Sequence, residues 1–232
     1  GEAIGKGEKV TAGGIEFIAS DGAKIAKTAD GSVSSLIVGG IDGRNDADPT
    51  GFYITVKQNF AFTVRFRTKD LGKSGLLLHA PDGKYMFIRS EGGVVSSYGS
   101  MQAGCGSANA GNIDGFIYFR LALENGVIHT AFSTDGETFV KVVNDVKLSY
   151  DGETEFKLWL FASQEEGGAK LNAAEFVEPK LVTSQYVAPE TGITAGQTVE
   201  AFGLNFTAAS DIKKTDDGIE ICGAGKPDND PA

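Results

Sequence analysis

Histidine, cysteine and proline are scarce in this chain, and each shortage removes a class of explanation. The two histidines, His79 and His129, stand too far apart for an H-E-x-x-H metal site. The two cysteines, Cys105 and Cys222, match no zinc spacing. Both sit beside glycines in expected loops, where a disulfide can form but free thiols are the favoured reading. One such pair does not mark an oxidising compartment. Six prolines against 32 glycines suit a chain of many tight turns, and no triplet period points to collagen. No apolar run approaches bilayer length, so membrane insertion is not expected. Basic residues are outnumbered, 21 Lys and Arg against 31 Asp and Glu, for a net charge of −10. Such a surface repels phosphate backbones, so nucleic acid is not an expected partner. G-x-S-x-G is absent, LGKSG at 71–75 lacks the first glycine of a phosphate loop, and GCG at 104–106 lacks a strand-then-helix setting.

What the chain does have is strand pattern from end to end. In FAFTVRFR (60–67), Phe60, Phe62, Val64 and Phe66 point one way and Ala61, Thr63, Arg65 and Arg67 the other. That period of two marks a half-buried strand. Further strands are expected at 14–19, 51–57, 75–80, 84–90, 116–123, 126–133, 138–143, 155–162, 171–177, 202–207 and 218–222. Asp-Gly, Asn-Gly and Gly-Gly pairs separate them, and Asn125-Gly126 suits a type I′ hairpin. No segment holds a helical period over three turns. The expected fold is therefore all-β: an antiparallel two-sheet jelly-roll sandwich, with extra strands from repeated N- and C-terminal elements. Three segments read as irregular: 39–50, the Gly-rich 99–115, and the Pro-containing connector 179–196.

The opening of the chain recurs near its end. GEKVTAGGIEFIASD (7–21) returns as GQTVEAFGLNFTAAS (196–210), and IAKTADG (25–31) as IKKTDDG (212–218). Either the chain is an excerpt from a tandem array, or one domain carries two related edge elements. The expected division is a sandwich module at 1–185, then a connector and the start of a second repeat copy at 186–232. Packing of that copy on the same sandwich stays open.

Residues 60–162 resemble the concanavalin A-like lectin/glucanase superfamily, also called laminin G-like. The likeness rests on the alternating strand at 60–67, GLLL at 75–78, the DGKY hairpin, YFRL at 118–121, and S-x-D-G-x-x-F at Ser133, Asp135, Gly136 and Phe139. More weakly, the repeated element resembles segments of modular polysaccharide-degrading proteins of gut and rumen bacteria. Hydrolases of this superfamily commonly place two carboxylates on one strand as E-x-D, and none occurs here. The one E-x-E, Glu153 and Glu155, reads as a solvated edge. The resemblance with this absence implies a chain that is not an enzyme. The implied function is a non-catalytic, lectin-like carbohydrate-binding module of an extracellular, multi-domain, polysaccharide-degrading or surface protein. It would be bacterial, secreted or at the cell surface, and monomeric within a larger modular protein. The alternative is an adhesion or spacer module without a small ligand; a third reading is a hydrolase or lyase with a scattered site.

Sugar recognition needs planar rings for the C–H faces of a pyranose and polar groups for its hydroxyls. Strand alternation puts Trp159, Tyr85, Arg89, Tyr118, Arg120 and His129 on outward faces, and Tyr98 and Gln102 border the Gly-rich loop. These eight are the candidate carbohydrate-binding residues. Asp42, Asp46 and Asp48 in IDGRNDADP form a weak calcium candidate, opposed by Arg44 in the same loop.

Overall fold

A computed structural model of the chain describes residues 1–39, 41, 46–69, 73–91, 94–109, 115–142, 146–163, 173–185, 196, 198–201, 204–207, 213–215 and 218–220. The chain divides into two compact units, Gly1–Tyr186 and Val187–Ala232. The described residues hold strands and turns, with no helix among them. None of them therefore forms a helix long and apolar enough to cross a membrane.

The first unit contains β1 (Glu2–Ala3), β2 (Lys9–Ala12), β3 (Ile15–Ala19), β4 (Ala23–Lys27), β5 (Val33–Gly39), β6 (Thr50–Val56), β7 (Phe60–Lys69), β8 (Lys73–His79), β9 (Tyr85–Glu91), β10 (Val94–Gly99), β11 (Gln102–Asn109), β12 (Ile117–Glu124), β13 (Val127–Ser133), β14 (Val140–Lys141), β15 (Val146–Lys147), β16 (Phe156–Ser163) and β17 (Ala173–Thr183). They form two antiparallel sheets. The nine-stranded sheet runs β1-β4-β5-β17-β7-β12-β13-β14, with β15 also paired to β13. The eight-stranded sheet runs β11-β10-β9-β8-β16-β6-β3-β2. This is the expected all-β sandwich.

Alternation decides which side chains lie between the sheets. Phe60, Phe62, Val64 and Phe66 of β7 are buried there with Ile117, Phe119, Leu121 and Leu123 of β12. Phe156, Leu158, Leu160 and Ala162 of β16 face them from the other sheet with Met86 and Ile88 of β9. Each fully buried phenylalanine contributes about 1.5–3 kcal/mol of transfer free energy. Gly51, at φ 130°, admits no side chain, since a Cβ there would lie 2.1 Å from the Leu160 carbonyl oxygen.

The Asn-Gly hairpin forms as its sequence dictates. Asn125 and Gly126 take φ of 49° and 81°, and Glu124 pairs with Val127 across a two-residue loop. Asn59 and Gln58 hold that loop from the bend that precedes β7. The Asn125 N–H donates to Asn59 Oδ1 at 2.6 Å, and the Gly126 N–H donates to Gln58 Oε1 at 2.8 Å.

Three expectations are corrected here. Residues 99–115 were expected to be structureless, but Gln102–Asn109 is a strand, β11, on the edge of the eight-stranded sheet. Gly and Ser carry little strand propensity of their own; β10 supplies the backbone partners that β11 needs. Cys105 therefore lies on a strand, while Cys222 lies outside the described residues. The connector expected from residue 179 starts later, since β17 passes through Pro179 to Thr183. Pro179 fits because the pairing with β7 shifts register between Val177 and Lys180, with Glu178 at φ 53°. A bulge of this kind leaves the missing proline N–H without cost to the ladder. The expected strand at 138–143 shortens to Val140–Lys141.

In the second unit, β18 (Thr198–Ala201) and β19 (Leu204–Thr207) form one hairpin, and β20 (Lys213–Thr215) and β21 (Gly218–Glu220) another. The first keeps the register of its N-terminal counterpart. Val199 faces Phe206 and Ala201 faces Leu204, as Val10 faces Phe17 and Ala12 faces Ile15.

Candidate functional site

Strand register gathers Trp159, Tyr85, Arg89 and Tyr98 on the outer face of the eight-stranded sheet. Tyr53, Trp159, Leu77, Phe87 and Tyr98 form one row across β6, β16, β8, β9 and β10. The next row brings Lys157, His79 and Tyr85 together, and on the other side Phe161 and Arg89 flank Gly75. The rings pack on each other: Tyr53 and Trp159 lie 4.7 Å apart between centroids, Phe87 and Tyr98 4.2 Å. The result is a second apolar cluster of Leu77, Phe87, Trp159 and Phe161 outside the main core.

The centre of this face is buried, which corrects the expectation of a solvent-facing Trp159, while Tyr98 at the edge is 37% exposed and Tyr85 is half-buried. Trp159 is 8% exposed and Phe87 and Phe161 are 0% exposed. Asp46 is tied down over the same face. Arg89 Nη1 donates to Asp46 Oδ2 at 2.8 Å, and Arg89 Nη2 donates to the Tyr98 hydroxyl at 3.0 Å. The guanidinium lies 4.3 Å from the Phe87 ring centroid, in cation–π range. His79 Nε2 donates to the Asp46 carbonyl at 2.7 Å, which sets the tautomer. Burial holds the His79 pKa below the usual imidazole value, against the Asp46 carbonyl, which raises it. Burial likewise raises the Tyr85 pKa, with the charge of Asp46 adding to it. Among the described residues, Asp46 Oδ1, Arg89 Nε and Trp159 Nε1 are buried without a hydrogen-bond partner.

Of the calcium candidates, Asp46 is thus engaged by Arg89, Asp48 is exposed, and Asp42 lies outside the described residues. Among the described residues no group of three or more His, Cys, Asp or Glu is placed to hold a metal ion. Gln102 lies on β11, opposite Gly99.

Tyr118, Arg120 and His129 sit on the opposite side of the sandwich, on the outer face of the nine-stranded sheet. The eight candidates therefore do not form one site. Tyr118 is half-buried beneath the S-x-D-G turn; a Cβ on Gly136 would come 2.9 Å from its ring. That turn is built on Asp135. Oδ1 of Asp135 accepts from the N–H groups of Glu137 and Thr138, each at 2.8 Å, and from the Ser133 hydroxyl at 2.8 Å. The Thr138 and Glu137 N–H groups and the Ser133 hydroxyl bring the Asp135 pKa down to about 2.

The turn delivers Phe139 to the rim of an open hollow of about 270 Å³. Ala122 and Ala131 form its floor, and Arg120, Glu124, His129, Phe139 and Lys141 its walls. Small side chains on two adjacent strands make the depression: Ala122 is opposite His129, and Ala131 is opposite Arg120 and Lys141. The volume is close to the lower end of small-molecule sites, about 300 Å³. A phenyl ring, an imidazole and a guanidinium at one opening can meet both the C–H face and the hydroxyls of a sugar. The sequence named Arg120 and His129 here. It quoted Phe139 only as part of the turn motif, and passed over Lys141 and Glu124, because nothing local in the chain shows that β14 returns beside Ala131.

No family model and no curated protein matches the chain. Solved structures do share its fold. The GH43 BlXynB protein from Bacillus licheniformis is 13% identical, covering 65% of this chain and 33% of its own, with a TM-score of 0.52. Bacteroides ovatus xyloglucan PUL GH43B is 11% identical, covering 73% and 36%, with a TM-score of 0.50. Alginate lyase AlgAT5 from polysaccharide lyase family 7 is 12% identical, covering 69% and 82%, with a TM-score of 0.48. At these identities the likeness shows the fold alone. The chain spans about a third of the length of the two GH43 proteins. The expectation that the chain is not an enzyme does not hold. It rested on the missing E-x-D run, whereas the solved structures that share this fold include GH43 proteins. Lack of one carboxylate pair removes one route to glycosidic cleavage and leaves others open.

Proposed function

We propose that this chain serves carbohydrate recognition, as a β-sandwich of a larger secreted or surface protein that acts on polysaccharide. A polysaccharide or oligosaccharide lies in the hollow of the nine-stranded sheet. Arg120 and His129 donate or accept hydrogen bonds at its hydroxyls, and Phe139 covers a C–H face. The observation that carries this reading is the hollow itself, which brings planar and charged side chains to solvent over an alanine floor. On the ring-rich face opposite, Trp159 and the neighbouring rings are packed against one another. The names of the GH43 neighbours, which concern xyloglucan in one case, support a carbohydrate setting.

The test is isothermal titration of the full chain with a panel of neutral and charged oligosaccharides, repeated with Arg120→Ala and Phe139→Ala. Binding to at least one glycan, weakened about ten-fold by Arg120→Ala, is the expected result. Silence across the panel, or binding that both variants leave intact, overturns the assignment. The same samples, assayed for new reducing ends and unsaturated products, report whether the bound sugar is cleaved.

A further inference from the structure

The nine-stranded sheet carries a charge pattern opposite to that of the whole molecule. The chain has a net charge of −10, yet the outer face around the hollow is rich in cations. At one end of that face the charges cancel locally: Arg65 pairs with Glu178 at 3.2 Å, and Arg67 with Glu175 at 2.6 Å. The middle is different. Lys180, Thr63, Arg120, Ala131 and Lys141 are direct neighbours across β17, β7, β12, β13 and β14. Lys180, Arg120 and Lys141 are all exposed. Among the described residues, neither Arg120 nor Lys180 has an ion-pair partner. One row further along lie Val182, Ala61, Ala122 and His129, which keep the trough low beside this row. Beyond them Glu124 is the one acid among the described residues lining the hollow, and Lys147 flanks it across Val127.

Strand spacing turns that row into a ruler. Lys180 to Arg120 and Arg120 to Lys141 are each two strands apart, about 10 Å. That is the reach of a disaccharide. A linear polymer crossing the strands would meet a cation at every second sugar ring, with Thr63 and Ala131 below the rings between.

We propose that the ligand of this face is an anionic linear polysaccharide, carrying carboxylate or sulfate groups, that runs across the strands over Lys180, Arg120 and Lys141. This rests on the carbohydrate reading above and specifies its ligand class. Arg120 makes the central contact, because its planar fork matches a carboxylate or sulfate. Lys180 and Lys141 act as point charges at the two ends.

The experiment titrates the full chain with four probes: xylohexaose as the neutral sugar, hexagalacturonate as the carboxylated one, a carrageenan hexasaccharide as the sulfated one, and hexaglutamate as a polyanion without sugar. Wild type is compared with Arg120→Gln, Lys141→Gln and Lys180→Gln at low and high salt. Each change lies on the exposed surface, and circular dichroism checks that the variants fold. At least one anionic hexasaccharide should bind about ten-fold or more tightly than xylohexaose. Its affinity should fall with salt, and about ten-fold with Arg120→Gln, while any xylohexaose binding keeps its salt independence. The stronger of the two anionic sugars separates carboxylate from sulfate recognition. Xylohexaose binding as tightly as both anionic sugars overturns the ligand class and leaves carbohydrate recognition standing. No binding of any sugar overturns both. Hexaglutamate binding as tightly as the sugars shows a face that reads charge alone and also overturns the proposal, as does anionic-sugar binding that the three substitutions leave unchanged.

Discussion

The two outer faces of this sandwich are built by the same alternation and end in opposite states. On the eight-stranded sheet the outward positions hold Trp159, Phe161, Phe87 and Leu77, which bury one another and leave Trp159 8% exposed. On the nine-stranded sheet the outward positions across β7, β12 and β13 hold Ala61, Thr63, Ala122 and Ala131, with charged side chains between them. Large rings in adjacent rows close a face through their own packing, whereas small residues leave it low and wet. A row of aromatic residues is therefore weaker evidence for a sugar surface than a floor of alanines with cations at its rim.

Substitutions should separate the two faces, and the largest effect is expected in the closed one. Phe161→Ala should cost about 3–5 kcal/mol of stability in urea unfolding, since the ring is fully buried and its removal leaves a cavity. Arg89→Ala should cost about 3 kcal/mol, because Asp46 is then left as a largely buried carboxylate with no partner. Arg120→Ala, on the open face, should stay within about 0.5 kcal/mol of wild type in the same measurement. Equal losses at Arg89 and Arg120 would erase the distinction between the faces.

Acid should act on the two sides at different pH. His79 is held below its ordinary value of 6.5 by burial, so the unfolded chain takes up a proton that the folded chain resists. Stability should fall as pH drops through that region, and His79→Gln should flatten this slope in thermal melts. Asp135, beside the hollow, has its pKa lowered to about 2 from 3.8. Its contribution is present above about pH 4 and is lost as pH falls towards 2, so Asp135→Asn should remove that acid step. The smallest effect is optical. Acrylamide should quench Trp159 weakly, and saturating sugar should leave its emission unchanged, because the indole is buried on the face away from the hollow.

Much of the framework was legible from period-two alternation. The strands expected at 60–67, 84–90, 116–123, 126–133 and 155–162 appear within two residues at each end as β7, β9, β12, β13 and β16. Their inward residues are those the pattern assigned. Polar and glycine-rich strands were not legible: β10 (VVSSYG) and β11 (QAGCGSAN) carry no clear alternation and exist through their neighbours in the sheet. β4 and β5 were not among the expected strands; AKIAK and VSSLIVG are short runs that follow the Asp-Gly turns at 21–22 and 30–31. For the site, Arg120 and His129 were named from outward-facing positions. Tyr118 was named by the same rule but packs under the turn at Gly136.

The order of residues alone determined that this chain makes strands, which side of each strand is apolar, and where the Asn125-Gly126 hairpin turns. These are short-range consequences of side-chain alternation and turn geometry. It also determined the duplicated hairpin, because the repeated residues carry their register with them. Only the tertiary structure decided which sheet each strand joined. That choice sent Trp159 and Arg89 to one side and Arg120 and His129 to the other, packed the rings of the first side on one another, and lined up Lys180, Arg120 and Lys141 across the second. The reason is that sheet order depends on pairings between strands far apart in the chain, such as β7 with β17, and no local pattern encodes those distances.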